Sequence, residues 1–251
     1  MKIQIAGYGF VGMAHALALK SDIIDTVVYD PAKGYHEWHK DADAVIICVS
    51  TPECTDGQCD MSNVYDIIEK CGDVPILIKS TISLEGWRLI TRANPWKSIT
   101  FSPEFLRAKH ALEDFKNQNV VYLGGSDPSF WINLISNRLN VIIEVGSAEE
   151  LILTKYIRNS FLALKVAFFN QVYDLCEKAN VEYSAVANYV TEDPRIGDSH
   201  TTITEERGFG GHCFPKDVSA LLSSSHELDY DLSILSEAMQ YNERLRNEKN
   251  I

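Results

Sequence analysis

A ten-residue segment, Gly208–Asp217, combines residue types that could support covalent chemistry. Its first four positions include three glycines, which let the backbone adopt positive φ angles and approach a ligand closely. Cys213 follows, and a thiol beside a cation is stabilised as the nucleophilic thiolate, a charge that Lys216 could supply. Asp217 could orient a water molecule or a base. The alternative interpretation is a surface loop whose cysteine has no chemical role.

A glycine pattern near the N-terminus predicts a dinucleotide-binding turn. A predicted strand, Lys2–Ala6, leads into Gly7-Tyr8-Gly9-Phe10-Val11-Gly12, and a helix is expected from about Val11 to Leu19. In this context the glycines permit a tight turn, and the helix N-terminus binds a pyrophosphate. A second strand, Thr26–Tyr29, ends at Asp30, where an acid can accept hydrogen bonds from both ribose hydroxyls, which favours NAD over NADP. A purely structural glycine turn is the alternative.

Polar residues follow two further predicted strands. The strand Ala44–Val49 is followed by Thr51 and Pro52, and the strand Pro75–Ile78 is followed by Thr81. Ligands of open α/β sheets bind beyond the carboxyl ends of the strands. We therefore expect Thr51 and Pro52 near the nicotinamide and Thr81 at the same edge.

Glu104 is a candidate general base. It follows a helix predicted near Ser83–Ala93 and a strand near Ile99, and it lies in an otherwise apolar segment. Partial desolvation is expected to raise its pKa towards that of a useful base, and a surface salt bridge is the alternative. Strands over Asn119–Leu123 and Val141–Glu144 are expected to complete the sheet.

The hydrophobic period changes from 2 to 3.6 at Ser147, so residues 147–251 are expected to form an all-helical domain after a first domain of residues 1–146. Ser147 and Glu150 are spaced as a capping box, and the helix is expected to run to about Ala179. Apolar stripes on two faces predict a central helix packed on both sides. One stripe contains Ile157, Phe161, Leu164 and Phe168, and the other contains Leu151, Leu162, Val166 and Phe169.

Lys155 and Asn159 lie four residues apart on the second stripe. A lysine among leucines is costly unless it is paired, and a ligand oxygen is the expected partner; snorkelling to solvent is the alternative. Further helices are expected near Tyr183–Val190, Asp217–Ser224 and Leu232–Arg246. The predicted fold class is therefore α/β: a Rossmann-type NAD-binding domain with a mostly parallel sheet, followed by an all-helical domain built on a long central helix.

Composition excludes several classes of function. The net charge is −12 and no basic tract is interleaved with aromatics, so nucleic-acid binding is not expected. No apolar run approaches a membrane span, and the chain opens on a strand without a signal peptide, so no membrane association and a cytoplasmic location are expected. The six cysteines are expected to be free thiols, and no metal site is expected because His36 and His39 have no third clustered ligand.

Six motifs occur in order along nearly the whole chain. They are Gly7-x-Gly9-x-x-Gly12, Thr51-Pro52 with Asp56-Gly57-x-x-Asp60-x-Ser62, Lys79-Ser80-Thr81, Pro103-Glu104-Phe105-Leu106, Lys155-x-x-x-Asn159 with Phe161-Leu162-Ala163, and Gly208–Asp217. Together they resemble the UDP-glucose/GDP-mannose dehydrogenase family. The resemblance implies NAD as the cofactor and a four-electron oxidation of a nucleotide-sugar primary alcohol to a carboxylate, of the UDP-glucose to UDP-glucuronate type.

The resemblance also implies roles for single residues. Cys213 matches the nucleophile that adds to an aldehyde intermediate and then carries a thioester. Glu104 matches the general base of thioester hydrolysis, and Lys155 matches the residue that stabilises the developing oxyanion. Asn159 and Asp217 match the groups that position the sugar hydroxyl and a catalytic water.

Further matches extend this set. Thr81 matches the threonine that bonds to the catalytic water, and Lys216 matches the lysine beside the nucleophile. Arg195 resembles the family's arginine that reaches into the neighbouring subunit's substrate site, which implies a homodimer built on the long helix. The residues matched to the cofactor are Gly7, Gly9, Phe10, Val11, Gly12, Asp30, Lys33, Thr51, Pro52, Ser80 and Thr81. Those matched to the substrate are Phe105, Leu106, Arg107, Arg195, Phe209 and Gly210.

The chain departs from the family pattern in three places. A second α/β domain, which in the family binds much of the nucleotide, is expected to be missing here or supplied by a partner chain. The short segment after Asp30 leaves no room for helices that are usual there, and Ala108 stands where members commonly carry a second glutamate. The alternatives are a non-catalytic or partner-dependent NAD-binding scaffold, or a dehydrogenase for a smaller hydroxy substrate such as a β-hydroxyacid.

Overall fold

The computed structural model of the chain describes residues 1–211 and 213–247. His212, which belongs to the predicted glycine–cysteine motif, lies outside the described residues. The chain divides into two compact units, one formed by Met1–Cys54 with Cys59–Lys155 and the other by Thr55–Gln58 with the segment from Tyr156 onward. The domain limits at residues 146 and 147 stay a prediction.

The first unit is built on a seven-stranded sheet with the order β2-β1-β3-β4-β5-β6-β7. Its strands are β1 Lys2–Ala6, β2 Asp25–Tyr29, β3 Ala44–Ile47, β4 Ile76–Ile78, β5 Ile99–Phe101, β6 Val120–Gly125 and β7 Ile142–Gly146. All neighbouring pairs are parallel except β5 and β6, which are antiparallel. β3 is apolar and buried along its whole length, as expected for a parallel strand with both faces covered. The predicted α/β class with a mostly parallel sheet is confirmed.

Five helices belong to the strand–helix part of this unit: α1 Phe10–Leu19, α2 Ser62–Lys70, α3 Leu84–Ala93, α4 Ala111–Asn117 and α5 Ser129–Ser136. Within the fully described stretch 30–43, the only helical turn is Pro31–Lys33, which agrees with the short connection expected after β2. The main core packs strand side chains against α1 and α5; its largest members include Ile3, Ile5, Ile46, Leu77, Leu123 and Trp131.

A long helix, α6, runs from Ala148 to Ala179. The predicted capping box is confirmed, because the backbone N–H of Ser147 donates to Glu150 Oε2 at 2.9 Å and the backbone N–H of Glu150 donates to Ser147 Oγ at 3.2 Å. The division between the two compact units falls inside this helix, after Lys155.

One apolar stripe of α6 is exposed. Ile157, Phe161 and Phe168 have relative exposures of 54%, 64% and 59%, whereas Leu151 and Phe169 of the other stripe are buried. The prediction that both faces of the helix are packed is therefore wrong for the first stripe. The period-3.6 pattern marks both stripes as apolar, but it does not say whether a given stripe is covered by the same chain.

The second unit continues with three shorter helices, α7 Tyr183–Thr191, α8 Phe214–Glu227 and α9 Ser233–Asn247. None of the six cysteines, all of which lie among the described residues, forms a disulfide. No helix in the described stretches is long and apolar enough to cross a membrane. Among residues 1–211 and 213–247, no group of three or more His, Cys, Asp or Glu side chains could hold a metal ion.

Candidate active site

A cavity of about 350 Å³ lies at the carboxyl ends of β1, β2 and β3. Asp30, at the end of β2, lines it and accepts a hydrogen bond from the backbone N–H of Tyr8 at 2.8 Å. This bond fixes the carboxylate beside the glycine turn, where a ribose-binding acid is expected. The full lining is Gly7, Tyr29, Asp30, Pro31, Ala32, Val49, Ser50, Asn63, Asp66, Ile67 and Lys70.

The three glycines of the turn are required for different reasons. Gly7 has a φ of +90°, and a Cβ added there would lie 2.5 Å from the carbonyl oxygen of Cys48. A Cβ on Gly12 would lie 2.0 Å from the carbonyl oxygen of Gly7, whereas a Cβ on Gly9 would meet no atom of the described residues within 4 Å. Gly9 is the N-cap of α1, and as a glycine it has no side chain that could cap the helix. Open space at a helix N-terminus is what a pyrophosphate needs, so the turn fits a dinucleotide.

Other predicted cofactor residues make bonds within the first unit. Lys33 Nζ donates to the carbonyl oxygen of Tyr8 at 2.6 Å, and Ser80 Oγ donates to the carbonyl oxygen of Val49 at 2.7 Å. The remaining ones lie on the first turn of α1 or in the segments after β3 and β4; they are Phe10, Val11, Thr51, Pro52 and Thr81. Asn63, Asp66 and Lys70 of α2 also line the cavity, and the sequence analysis missed them because α2 carries no nucleotide-binding motif.

Glu104 and Lys155 form a buried ion pair. Lys155 Nζ lies 2.7 Å from Glu104 Oε1, and the two side chains are 4% and 12% exposed. Glu104 Oε2 accepts a further bond from the backbone N–H of Leu106 at 2.9 Å. The expected partner of Lys155 was a ligand oxygen, and the structure supplies this carboxylate instead.

The predicted rise in the pKa of Glu104 is wrong. Burial raises this pKa, but the charge of Lys155, the bonds from Lys155 and from the Leu106 backbone, and the charge of Lys79 together hold it below its ordinary value. Glu104 is therefore ionised at neutral pH. Lys79, which the sequence analysis assigned to a motif but not to the site, is itself buried near this pair.

A second polar cluster lies within the second unit, around Asp217 in the first turn of α8. Asp217 is 1% exposed and accepts hydrogen bonds from Asn159 Nδ2 at 2.5 Å and from Lys216 Nζ at 2.6 Å. Its backbone N–H donates to the carbonyl oxygen of Cys213 at 2.9 Å. Cys213 is exposed and is the N-cap of α8, a position that favours the anionic thiolate.

The loop before Cys213 is held by two buried asparagines. Asn242 of α9 accepts the N–H of Phe209 at 2.7 Å and donates to its carbonyl oxygen at 3.0 Å. Asn170 of α6 accepts the N–H of Gly208 at 3.1 Å. Phe209, a predicted substrate contact, has a side chain that is only 2% exposed. The sequence analysis missed both asparagines, because nothing in their spacing links them to this loop.

The other predicted substrate residues are placed as follows. Arg107 pairs with Asp114 at 2.6 Å, and Arg195 pairs with Asp193 at 2.5 Å, in each case with an exposed arginine. Phe105 and Leu106 are half-buried after β5. A Cβ on Gly210 would lie 2.8 Å from the guanidinium group of Arg246, so the loop passes close to α9 there.

Two separate parts of the chain match domains of one family. Residues 31–137 match the NAD binding domain of the UDP-glucose/GDP-mannose dehydrogenase family, and residues 148–244 match its central domain. NAD is therefore the cofactor of the first domain, in agreement with the open glycine turn and the fixed Asp30 carboxylate.

The chain is also similar to individual proteins that are named UDP-glucose dehydrogenases. The chain is 34% identical to the UDP-glucose 6-dehydrogenase of Rickettsia bellii in an alignment that covers 83% of this chain and 51% of that protein. It is 33% identical to the enzyme of the same name from Rhizobium meliloti, over 80% of this chain and 50% of that protein. A UDP-glucose dehydrogenase structure from Pyrobaculum islandicum is 26% identical, with a TM-score of 0.83 over 97% of this chain and 68% of that one.

The chain spans about half the length of the curated relatives that it matches. Along this chain the stretch matched to the NAD binding domain precedes the stretch matched to the central domain. The chain belongs to the UDP-glucose/GDP-mannose dehydrogenase family.

Proposed function

We propose that this chain oxidises the primary alcohol of a nucleotide sugar to a carboxylate, with NAD as the hydride acceptor and a thioester on Cys213 as intermediate. The observation that carries the proposal is the Asp217 cluster. A buried carboxylate, held by Asn159 and Lys216, lies one turn from an exposed cysteine at a helix N-terminus. A buried carboxylate is costly unless other groups are arranged to pair with it. A protein that only binds NAD has no need for such an arrangement beside an exposed cysteine.

The reaction takes place in two oxidations and one hydrolysis. The alcohol loses a hydride and a proton to become an aldehyde, and the Cys213 thiolate adds to the aldehyde carbon. Loss of a second hydride from that carbon gives the thioester. Water then attacks the thioester carbon, the C–S bond breaks, and the carboxylate and the free thiol result. NAD, when bound, would supply the hydride acceptor, and a second NAD molecule would have to replace the first NADH before the second oxidation, so two NADH form for each sugar.

The buried ion pair of the first unit provides two of the proposed roles. Glu104, ionised at neutral pH, accepts the proton of the attacking water. The Lys155 ammonium stabilises negative charge on the oxygen of the reacting carbon, which a cation away from water does well. Thr81 is proposed to bond to the attacking water and Asn159 to position the sugar hydroxyl.

UDP-glucose is the proposed substrate, because the two curated relatives are named UDP-glucose 6-dehydrogenase. We also propose a homodimer that covers the exposed stripe of α6, with Arg195 directed to the partner's substrate site. The exposed apolar side chains of this stripe support a partner surface.

NADH formation with UDP-glucose tests the proposal on the whole chain. We expect two NADH for each sugar oxidised. If the protein binds NAD but no UDP-sugar or GDP-sugar gives NADH, the catalytic proposal is wrong and a scaffold is supported. NADH formation from a β-hydroxyacid alone would support a dehydrogenase for a smaller substrate.

Replacing Cys213 by serine separates the two oxidations. Cys213→Ser leaves the first hydride transfer possible and removes the thioester, so we expect the reaction to stop at the aldehyde with one NADH for each sugar. Cys54→Ser is the matched control, since Cys54 is also an exposed cysteine outside any disulfide, and it should retain two NADH. An unchanged yield of two NADH in Cys213→Ser would contradict the thioester mechanism.

A further inference from the structure

We propose that Lys79 is a positioning residue, whose buried ammonium group holds the Ser102–Pro103 segment and so fixes both the place and the charge of the Glu104 carboxylate. The inference rests on the proposed role of Glu104 as a base. Lys79 donates to Ser102 and Pro103, and it acts through this segment, which leads into Glu104.

The ammonium group of Lys79 ties together the ends of two strands. Lys79 follows β4 directly, is 7% exposed, and donates from Nζ to Ser102 Oγ at 3.0 Å and to the carbonyl oxygen of Pro103 at 3.2 Å. Ser102 is 1% exposed, and its backbone N–H donates to the carbonyl oxygen of Ile78 at 3.0 Å. The segment that leads into Glu104 is thus bound to the end of β4 by a backbone hydrogen bond to Ile78 and by hydrogen bonds from the Lys79 side chain.

Five titratable groups interact at this place. They are Lys79 and one group from each of four other segments. His15 of α1 and Cys48 after β3 are neutral, because burial lowers the pKa of His15 to about 3 and raises that of Cys48 to about 12. Glu104 after β5 is ionised and paired with Lys155 of α6. The charged groups are therefore one carboxylate and two ammonium groups.

Lys79 is the member of this group whose charge changes near neutral pH. Burial lowers its pKa to about 8, against the opposing charge of Glu104. Above that pH the ammonium becomes an amine, and Glu104 loses one of its two cationic neighbours. The Pro103 carbonyl oxygen and Ser102 then accept from a weaker, uncharged donor, so both the place and the charge of the carboxylate are less well fixed.

Two variants separate charge from packing. Lys79→Met keeps the length of the side chain and removes the charge. Lys79→Arg keeps a charge that persists at every accessible pH. Lys79 and Ser102 also line a small cavity of about 20 Å³.

The first measurement needs neither substrate nor turnover. Carboxyl ¹³C NMR, with the Glu104 resonance assigned by its loss in Glu104→Gln, follows the titration of Glu104 in the wild type and both variants. We expect the pKa of Glu104 to rise in Lys79→Met and to stay at the wild-type value in Lys79→Arg. An equal Glu104 titration in all three folded proteins would overturn the inference.

The wild-type protein gives an independent result if a variant does not fold. NMR of the Lys79 side chain should report a pKa near 8, and the Glu104 carboxyl resonance should respond as Lys79 titrates. A Glu104 resonance that does not respond to the titration of Lys79 would overturn the inference. Neither titration depends on the proposed reaction. The absence of NADH from every sugar would therefore defeat the proposed function and leave the coupling of Lys79 to Glu104 measurable.

Activity then tests the positioning role. We expect Lys79→Met to lose about 10- to 100-fold in kcat with little change in KM, and Lys79→Arg to recover most of it. Wild-type kcat should fall as pH rises through about 8, whereas that of Lys79→Arg should not. A wild-type decline that persists unchanged in Lys79→Arg would contradict this role.

Discussion

Lys155 and Glu104 are buried as a pair, and the pairing decides what each residue can do. The ammonium holds the pKa of Glu104 below its ordinary value, so the carboxylate stays ionised in a place where burial alone would favour its neutral form. A base of this kind is always available at neutral pH, but it is a weak one. Charge stabilisation by Lys155 therefore carries more of the proposed chemistry than proton transfer does.

Removing one partner of this pair should lower the free energy of unfolding. We expect Lys155→Met to lower the free energy of unfolding by about 3–5 kcal/mol at pH 7, because Glu104 is left buried without its cation. Since the folded-state pKa of Glu104 is lowered, the pair's contribution is present above the unfolded-state pKa and is lost as pH falls through the folded-state value. Urea unfolding from pH 7 down to about pH 2 measures both effects, since the folded-state pKa of Glu104 lies below its ordinary value.

The matched control removes both charges. The double variant Lys155→Met with Glu104→Leu leaves no unpaired charge, so it should be more stable at pH 7 than Lys155→Met alone. A double variant that is no more stable than the single one would show that the lost charge pairing does not cause the destabilisation.

At the scale of elements, the turn between β1 and α1 contains one glycine that folding requires, Gly12, and one that NAD binding is expected to require, Gly9. We expect Gly9→Ala to leave stability within about 0.5 kcal/mol of the wild type, since among residues 1–211 and 213–247 no atom lies within 4 Å of the added Cβ. NAD affinity should fall about tenfold or more, because the methyl group occupies the place of the pyrophosphate. Calorimetric NAD titration and thermal unfolding measure the two effects.

Gly12→Ala is the comparison for this prediction. Its Cβ would lie 2.0 Å from the carbonyl oxygen of Gly7, so the turn must shift and the fold should lose several kcal/mol. If both variants lose stability equally and bind NAD like the wild type, the turn is structural only.

The elements were largely predictable from the sequence, whereas their long-range contacts were not. Strands such as β1 and β3 and the start of α6 are marked by local signals: apolar runs, a glycine turn and a capping box. The antiparallel direction of β6 has no local signal, because it depends on how the chain returns to the sheet.

The site shows the same limit. Glu104 and Lys155 were each identified as candidates, but 51 residues separate them, and no spacing rule joins them. The predicted direction of the Glu104 pKa shift is wrong, because the prediction considered burial without the neighbouring Lys155 ammonium. Lys79 and Asn242 were not assigned to the site, since a buried lysine or asparagine is recognised only once its partners are known.

At the scale of the whole molecule, the exposed stripe of α6 is the surface on which the proposed homodimer depends. Ile157, Phe161 and Leu164 also line an apolar groove of about 440 Å³ with residues of α8 and α9 and the segment between them. We expect Phe161→Asp to shift the protein from dimer to monomer, because a carboxylate would be buried in an apolar interface. Light scattering during size-exclusion chromatography gives the mass directly.

Tyr189→Asp is the matched control for this variant. Tyr189 on α7 is an exposed aromatic residue at 74%, and it lies outside the α6 stripe. Its replacement should leave the mass unchanged. A wild-type protein that is already a monomer at micromolar concentration would remove the homodimer proposal.

The hold of Asn170 and Asn242 on the loop before Cys213 has a consequence for solvent exchange. The amide hydrogens of Gly208 and Phe209 belong to no helix or strand, yet each is donated to the side-chain oxygen of a buried asparagine. Exchange of these hydrogens with deuterium therefore requires α6 or α9 to release the loop. The amide hydrogens of the loop before Cys213 are in this respect as protected as those of a helix or strand. The rate at which the loop opens is set by α9 and by α6, the helix that also carries Lys155 and Asn159.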